Sequence, residues 1–468
     1  MLFTSLEFLF LFFPVTLIGY FIMPSTKMRN YWLMVISLFF YAWGEPFFVL
    51  IMLLSIILNY IFARGIDFCN DNKNIKKVIL AVSVFTNISL IFVYKYLNFA
   101  INVIHDVFPL SQEFIPQTHF RLPIGISFFT FQAMSYVIDV YRGIPVQKNI
   151  GYLCLYISFF PQLIAGPIVR YTTIAEQINV RKETIEKFYN GIIRFLYGFN
   201  KKIILANLMA VVADTAFNAQ GISVSMAWLG IVCYTLQIFF DFSGYSEMAI
   251  GLGLMFGFEF LENFDYPYIS KTITEFWRRW HMSLGSWFRD YVYFPLGGSR
   301  VNSKLRLVFN LFVVWFATGV WHGASWNFIL WGILYGVVIT IEKLLDIPKY
   351  MQQHKRASYV YRVFTLLTVM FGWVLFRAVD LPSAIQYFKC MFGLANNTLI
   401  DTTAIFNFKE YAVIIVVGII CSTPFFKNLN KGRKGEKITT FMIQFVLFLI
   451  SVSYLVMNAH NPFIYFNF

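Results

Sequence analysis

The stretch Leu307-Val-Phe-Asn-Leu-Phe-Val-Val-Trp-Phe-Ala-Thr-Gly319-Val-Trp321-His322-Gly323-Ala-Ser325-Trp326-Asn-Phe-Ile-Leu-Trp-Gly-Ile-Leu-Tyr-Gly-Val-Val-Ile-Thr-Ile-Glu342 decides the fold class. It holds two apolar runs, 307–321 and 326–342, each barely long enough to cross a bilayer, which takes roughly 20 mostly apolar residues. The whole chain shares this character: of 468 residues 58% are hydrophobic, 20% aromatic and 13% charged. Soluble domains carry about 25% charged residues, so a chain this apolar could not cover itself with polar surface in water. An all-α polytopic membrane protein follows.

Further apolar segments lie at 6–23, 31–43, 47–63, 78–96, 122–140, 151–168, 203–217, 226–256, 359–377, 411–426 and 438–458. Several are too short or too broken for simple spans. The sequence predicts about 11 spanning helices plus re-entrant segments, in one domain covering 1–468, because no repeat or low-complexity linker divides it. The run 6–23 has no basic region before it and no small-residue cleavage site after it, and reads as a span rather than a removed signal peptide.

The net charge of +13 lies in short stretches between apolar runs, among them Lys73, Lys76 and Lys77, Lys201 and Lys202, and Lys431, Arg433, Lys434 and Lys437. That is the loop asymmetry of membrane topology, and no nucleic-acid partner is expected. With 64–77 cytoplasmic, 24–30, 141–150, 257–306, 343–358 and 427–437 fall inside, and 97–121, 378–410 and 459–468 fall outside. If 151–168 crossed, the basic stretch from Arg170 to Lys202 would lie outside, against the rule. Pro161, Gly166 and Pro167 interrupt a helix there, so a re-entrant segment is predicted. The five cysteines are scattered and form no CxxC pair; neither a disulfide framework nor a metal site is expected.

Ionisable groups inside a membrane are costly and mark function. Asp241 and Glu247 lie on the long apolar run 226–256, and His322 lies at the turn of the 307–342 hairpin. Gly319 and Gly323 would allow close approach, and Trp321 and Trp326 would wall the site. His322 is then either a general base for a hydroxyl nucleophile or a histidine hydrogen-bonded within a tight turn. The block from Phe264 to Gly298 is dense in Trp and Arg, with Thr274, Glu275 and Trp277 reading as a helix start and no full capping box. Arg278, Arg279 and Arg289 suit a phosphorylated donor through forked hydrogen bonds, or anchor an interfacial helix at headgroup level.

Asp241-Phe-Ser-Gly-Tyr-Ser, Phe276-Trp-Arg-Arg-Trp-His-Met-Ser-Leu, Trp287-Phe-Arg-Asp-Tyr with Pro295-Leu-Gly-Gly, and Trp321-His322-Gly, in this order, resemble the membrane-bound O-acyltransferase family. Leu122-Pro-Ile-Gly-Ile-Ser-Phe-Phe-Thr-Phe-Gln132 and Phe160-Pro-Gln-Leu-Ile-Ala-Gly-Pro167 extend the similarity to most of the chain, within the AlgI-type subgroup of alginate and peptidoglycan O-acetylation systems. The resemblance implies a catalytic histidine where cytoplasmic and outer funnels meet, matched by His322, with His281 as the second histidine of the subgroup. It implies an acidic position at Asp241, and an acyl-carrying tyrosine at Tyr465 in the aromatic tail Pro462 to Phe468, a segment that an interfacial aromatic belt would also explain.

It further implies a cytoplasmic thioester donor, acetyl-CoA or another, with no permanently bound cofactor. The acceptor would be an extracytoplasmic polysaccharide, served by a separate SGNH-type acetyltransferase, in a bacterial cytoplasmic membrane. Arg278 and Pro295-Leu-Gly297-Gly298 differ from the corresponding block of D-alanyl transferases of teichoic acids, which favours acetyl transfer over that alternative. A transporter without chemistry would show broken segments and intramembrane carboxylates too, but the absent inverted repeat and the Trp, His and Arg gathered in one stretch speak against it.

Overall fold

The computed structural model describes residues 1–69, 71–164, 166–219, 221–430, 436–457 and 463–464. Among them, nine helices are long and apolar enough to cross a membrane: α1 (Phe48–Phe68), α2 (Lys73–Val107), α3 (Ile185–Asn218), α4 (Val224–Met255), α5 (Lys304–His322), α6 (Trp326–Leu344), α7 (Lys355–Arg377), α8 (Thr402–Cys421) and α9 (Ile438–Met457). Phe8–Ile22 is a shorter apolar helix. The described elements are all helical. The chain divides into two compact units, Met1–Phe195 with Met248–Leu261, and Leu196–Glu247 with Glu262–Phe468.

The first unit shows the reversed amphipathicity of a protein built for lipid. On α1 the polar Ser55 and Asn59 are buried, while Leu50, Leu54, Ile57 and Ile61 are exposed. Asn59 and Asn87 exchange amide hydrogen bonds of 3.1 and 2.8 Å, tying α1 to α2, because polar groups in an apolar medium must find partners in neighbouring helices. The 122–140 run forms a helix, Ile126–Tyr141, that is short and buried on nearly every face; its apolarity reflects protein core rather than lipid. The 151–168 run breaks as its prolines and glycine predict. Ile150–Ser158 ends at Phe159, whose ψ of 111° leaves the helix, and Phe160–Leu163 follows as a single turn.

Helix α3 corrects the reading of 170–202 as loop. Lys201 and Lys202 begin a π-helical turn, Lys201–Ala206, within this long helix. Basic residues and an apolar average are compatible there because both lysines lie within the second unit, each with a carboxylate of the same unit opposite it: Lys202 Nζ lies 2.5 Å from Asp241 and Lys201 Nζ 3.7 Å from Glu247. Segment 411–426 likewise belongs to a helix that starts earlier, at Thr402, where the Asp401 side chain accepts the Ala404 N–H.

In the second unit α5 and α6 form the hairpin read from the sequence. A Cβ on Gly319 would sit 2.5 Å from the Phe328 carbonyl oxygen, and one on Gly332 would sit 2.4 Å from that of Trp315. The two backbones therefore touch, as small residues permit between membrane helices. Before them in the chain comes the irregular 262–303 segment, with two short helices, Ile273–Arg279 and Met282–Phe288.

Candidate active site

The sequence placed the first of those short helices two residues late. Thr272 is the N-cap, its hydroxyl accepting the Glu275 N–H at 3.1 Å, while Glu275 accepts the Lys271 N–H at 2.9 Å. Thr272-Ile-Thr-Glu275 has the spacing of a capping box, but Glu275 reaches back to the residue before the cap, so the full reciprocal box is not formed. A second cap comes from afar: Glu342 on α6, fully buried, accepts the N–H groups of Ile273 and Thr274 at 2.8 Å each. A carboxylate at a helix N-terminus satisfies orphan donors and complements the helix dipole. Glu342 therefore welds the Trp–Arg block to the hairpin, and no local sequence signal points to it.

Trp280 caps the end of this helix, and His281 opens the next with left-handed backbone, φ 45° and ψ 54°. Such a conformation is uncommon for a non-glycine residue and persists where surroundings enforce it. Here Asn263 does so. Its backbone carbonyl accepts the Met282 N–H at 2.9 Å, and its side-chain oxygen accepts from Ser283 N–H at 3.1 Å and Ser283 Oγ at 2.9 Å. That oxygen also lies 3.1 Å from His281 Nδ1. An oxygen that takes a backbone N–H is the acceptor, so Nδ1 carries the proton and Nε2 holds the basic lone pair. Asn263 Nδ2 in turn donates to Ser246 on α4 at 3.0 Å. Burial pushes the His281 imidazole down to about 3, keeping it neutral.

His322 is the last residue of α5 and is 4% exposed. Trp321, Trp331 and Phe376 surround its ring at centroid distances of 4.9, 4.8 and 5.2 Å. Trp321, also buried, lies 6.2 Å from the His281 ring. One indole thus touches both histidines, which the sequence separates but the fold brings to the same aromatic cluster. On the far side of His281, Phe242 of α4 packs edge-on at 4.7 Å. Trp326, by contrast, starts α6 and is 52% exposed.

The three arginines differ. Arg279 is held by Asp265 at 2.7 Å and Glu275 at 3.1 Å, and Arg289 sits 3.0 Å from its neighbour Asp290. Arg278 is exposed and lines a small cavity with Lys271, Thr274, Glu275 and Gln352. Asp241 is buried against Lys202, a residue that the sequence reading took for loop charge. Tyr465 lies outside the described residues.

Long helices with apolar outer faces define a multi-pass membrane protein, and its second unit buries two histidines in one aromatic cluster. The chain belongs to the membrane-bound O-acyltransferase family, whose pattern matches residues 92–378, and it is an O-acyltransferase. It is 37% identical to a probable alginate O-acetylase of Pseudomonas putida over the full length of both chains. It is 30% identical to a peptidoglycan O-acetyltransferase of Helicobacter pylori, covering 100% of this chain and 98% of that one. A teichoic acid D-alanyltransferase of Bacillus subtilis is 30% identical over 54% of this chain and 68% of its own length.

Proposed function

We propose that the chain transfers acetyl groups from a cytoplasmic thioester, acetyl-CoA, across a bacterial cytoplasmic membrane for O-acetylation of an extracytoplasmic polysaccharide. The observation that carries this reading is His322, buried at the tip of a membrane hairpin and joined to His281 through Trp321. His322 takes the proton of an acceptor hydroxyl, and the oxygen attacks the thioester carbonyl. The tetrahedral intermediate then expels the CoA thiolate, which receives that proton. The thioester is already activated, so the protein supplies positioning and a base. His281, neutral and with a defined tautomer, shapes the site or relays the proton. Arg278 is the arginine best placed for donor phosphates, because carboxylates hold Arg279 and Arg289.

The full-length similarity to alginate and peptidoglycan O-acetylating relatives supports acetyl as the group and a polysaccharide of that kind as the acceptor. Under this reading Tyr465 receives the acetyl group as an aryl ester and presents it to a separate SGNH-type acetyltransferase. D-alanyl transfer is the second reading, favoured by the partial similarity to teichoic acid D-alanyltransferases. Purified protein in liposomes with acetyl-labelled acetyl-CoA should release CoA, and His322→Ala should not. Release of no CoA, with turnover of a D-alanyl thioester instead, would replace the acetyl reading by the second one.

A further inference from the structure

The charge pair at Lys202 and Asp241 does more than balance itself. Both residues are buried, with side chains 3% and 2% exposed. The Asp241 carboxylate meets Lys202 Nζ through one oxygen and, through the other, accepts the main-chain N–H of Ile464 at 2.8 Å. The preceding residue is held by different chemistry. Phe463 is 1% exposed, its ring lies 4.8 Å from Lys202 Nζ, and Tyr245 meets it edge-on at 4.9 Å. Lys202 is itself aimed by the Asn207 side chain, whose oxygen accepts from Nζ at 2.9 Å.

Burying an ion pair costs several kcal/mol per ion, and an apolar pair of similar volume is often as stable. Stability alone is therefore a poor reason for this pair. What an apolar pair could not supply is a fixed carboxylate acceptor beside a cation, matched to a peptide N–H and an aromatic ring. The lysine lies at the start of the π-helical turn of α3, a distortion that recurs at functional positions. Two residues earlier, Asn200 donates to the Gln444 carbonyl at 3.0 Å and accepts from Ser451 at 2.9 Å, which fastens α9 to α3. The helix preceding the tail and two residues of the tail are thus separately attached to one short stretch of α3 and to α4.

We propose that Lys202 and Asp241 form a main-chain clamp that docks Phe463 and Ile464 and so positions the tail for acyl transfer. Both are positioning residues, not catalytic ones. The clamp rests on the reading that the next residue in the chain, Tyr465, carries the acyl group. Its location suits that use: Phe242, adjacent to Asp241 on α4, packs against His281. At 464 the clamp reads the backbone N–H and not the side chain.

The test uses full-length protein in native membranes. A benzoylphenylalanine photocrosslinker at position 463 should join the peptide of α4 that contains Tyr245, and the crosslink should disappear in Lys202→Met/Asp241→Leu. Ile464→Pro deletes the N–H and, at equal protein abundance, should release CoA and acetylate polysaccharide at least tenfold more slowly than Ile464→Ala. A crosslink that survives loss of the pair, or equal acetylation by Ile464→Pro and Ile464→Ala, overturns the clamp. Crosslinking reads docking without activity. A wild-type crosslink combined with no CoA release therefore breaks only the acyl-transfer reading.

Discussion

The two histidines reach the same aromatic cluster by opposite routes. His322 ends a regular helix, and its ring is placed by packing against Trp321, Trp331 and Phe376. Behind it, the hairpin is held by direct contact of two backbones at Gly319 and Gly332. His281 sits in irregular chain, in a left-handed conformation, and is placed by the hydrogen bonds that converge on Asn263. The directional hydrogen bond from Nδ1 fixes the tautomer of the His281 ring as well as its place. The two rings are therefore held differently, His322 by close fitting at the tip of the hairpin and His281 by hydrogen bonds in the irregular segment.

The largest expected effect separates the histidines themselves. His322→Ala should slow acetyl transfer by roughly 10²–10⁴-fold, the contribution of a positioned proton-transfer group, with membrane insertion unchanged. His281→Ala should lose less. Rates measured side by side in the same membranes check this, and equal rates for His322→Ala and wild type would remove His322 from the mechanism.

Asn263 sharpens the contrast. Asn263→Leu should cost about tenfold or more, within the range such groups supply, because it frees the His281 tautomer. Asn263→Asp restores the acceptor and sets a carboxylate beside the ring, which favours the imidazolium. In the wild type burial holds His281 down to about 3, so it adds no acid limb to the rate between pH 5 and 8. The aspartate variant should lose activity as the pH falls through that range. The same shift has a sign for stability. An unfolded histidine titrates near 6.5, so between that pH and about 3 only the unfolded chain binds the proton. The contribution is whole above 6.5 and declines as the pH drops, which acid unfolding of wild type against His281→Gln can measure.

The hairpin predicts a different kind of failure. Gly332→Leu forces a side chain into the Trp315 backbone and should destabilise by about 1–3 kcal/mol as an overpacked contact does, read as a lower melting temperature in detergent. A comparable substitution of exposed Phe316 should not. The smallest effect distinguishes two adjacent arginines. Arg278→Ala should raise KM for acetyl-CoA up to about tenfold, the worth of one charged hydrogen bond, with kcat little changed. Arg279→Ala breaks the Asp265 and Glu275 contacts and should lower stability instead. If both behave alike, the cavity beside Arg278 is not where the donor phosphates bind.

Composition and the 307–342 stretch by themselves determined the class, because the cost of exposing unpaired backbone to lipid leaves few solutions for a chain this apolar. The helix break at 151–168 was legible for an equally local reason, proline and glycine, and the motif order around His281 and His322 sufficed for the family. What only the tertiary structure decided depends on partners distant in sequence. Glu342 caps a helix some seventy residues away, Asn263 sets a histidine tautomer, and Lys202, which local sequence makes a loop charge, becomes a buried partner of Asp241 and of the segment at 463–464. Apolarity and turn chemistry act over a few residues and can be read along the chain. A buried polar group is defined by what compensates it, and that partner is named only when the helices pack.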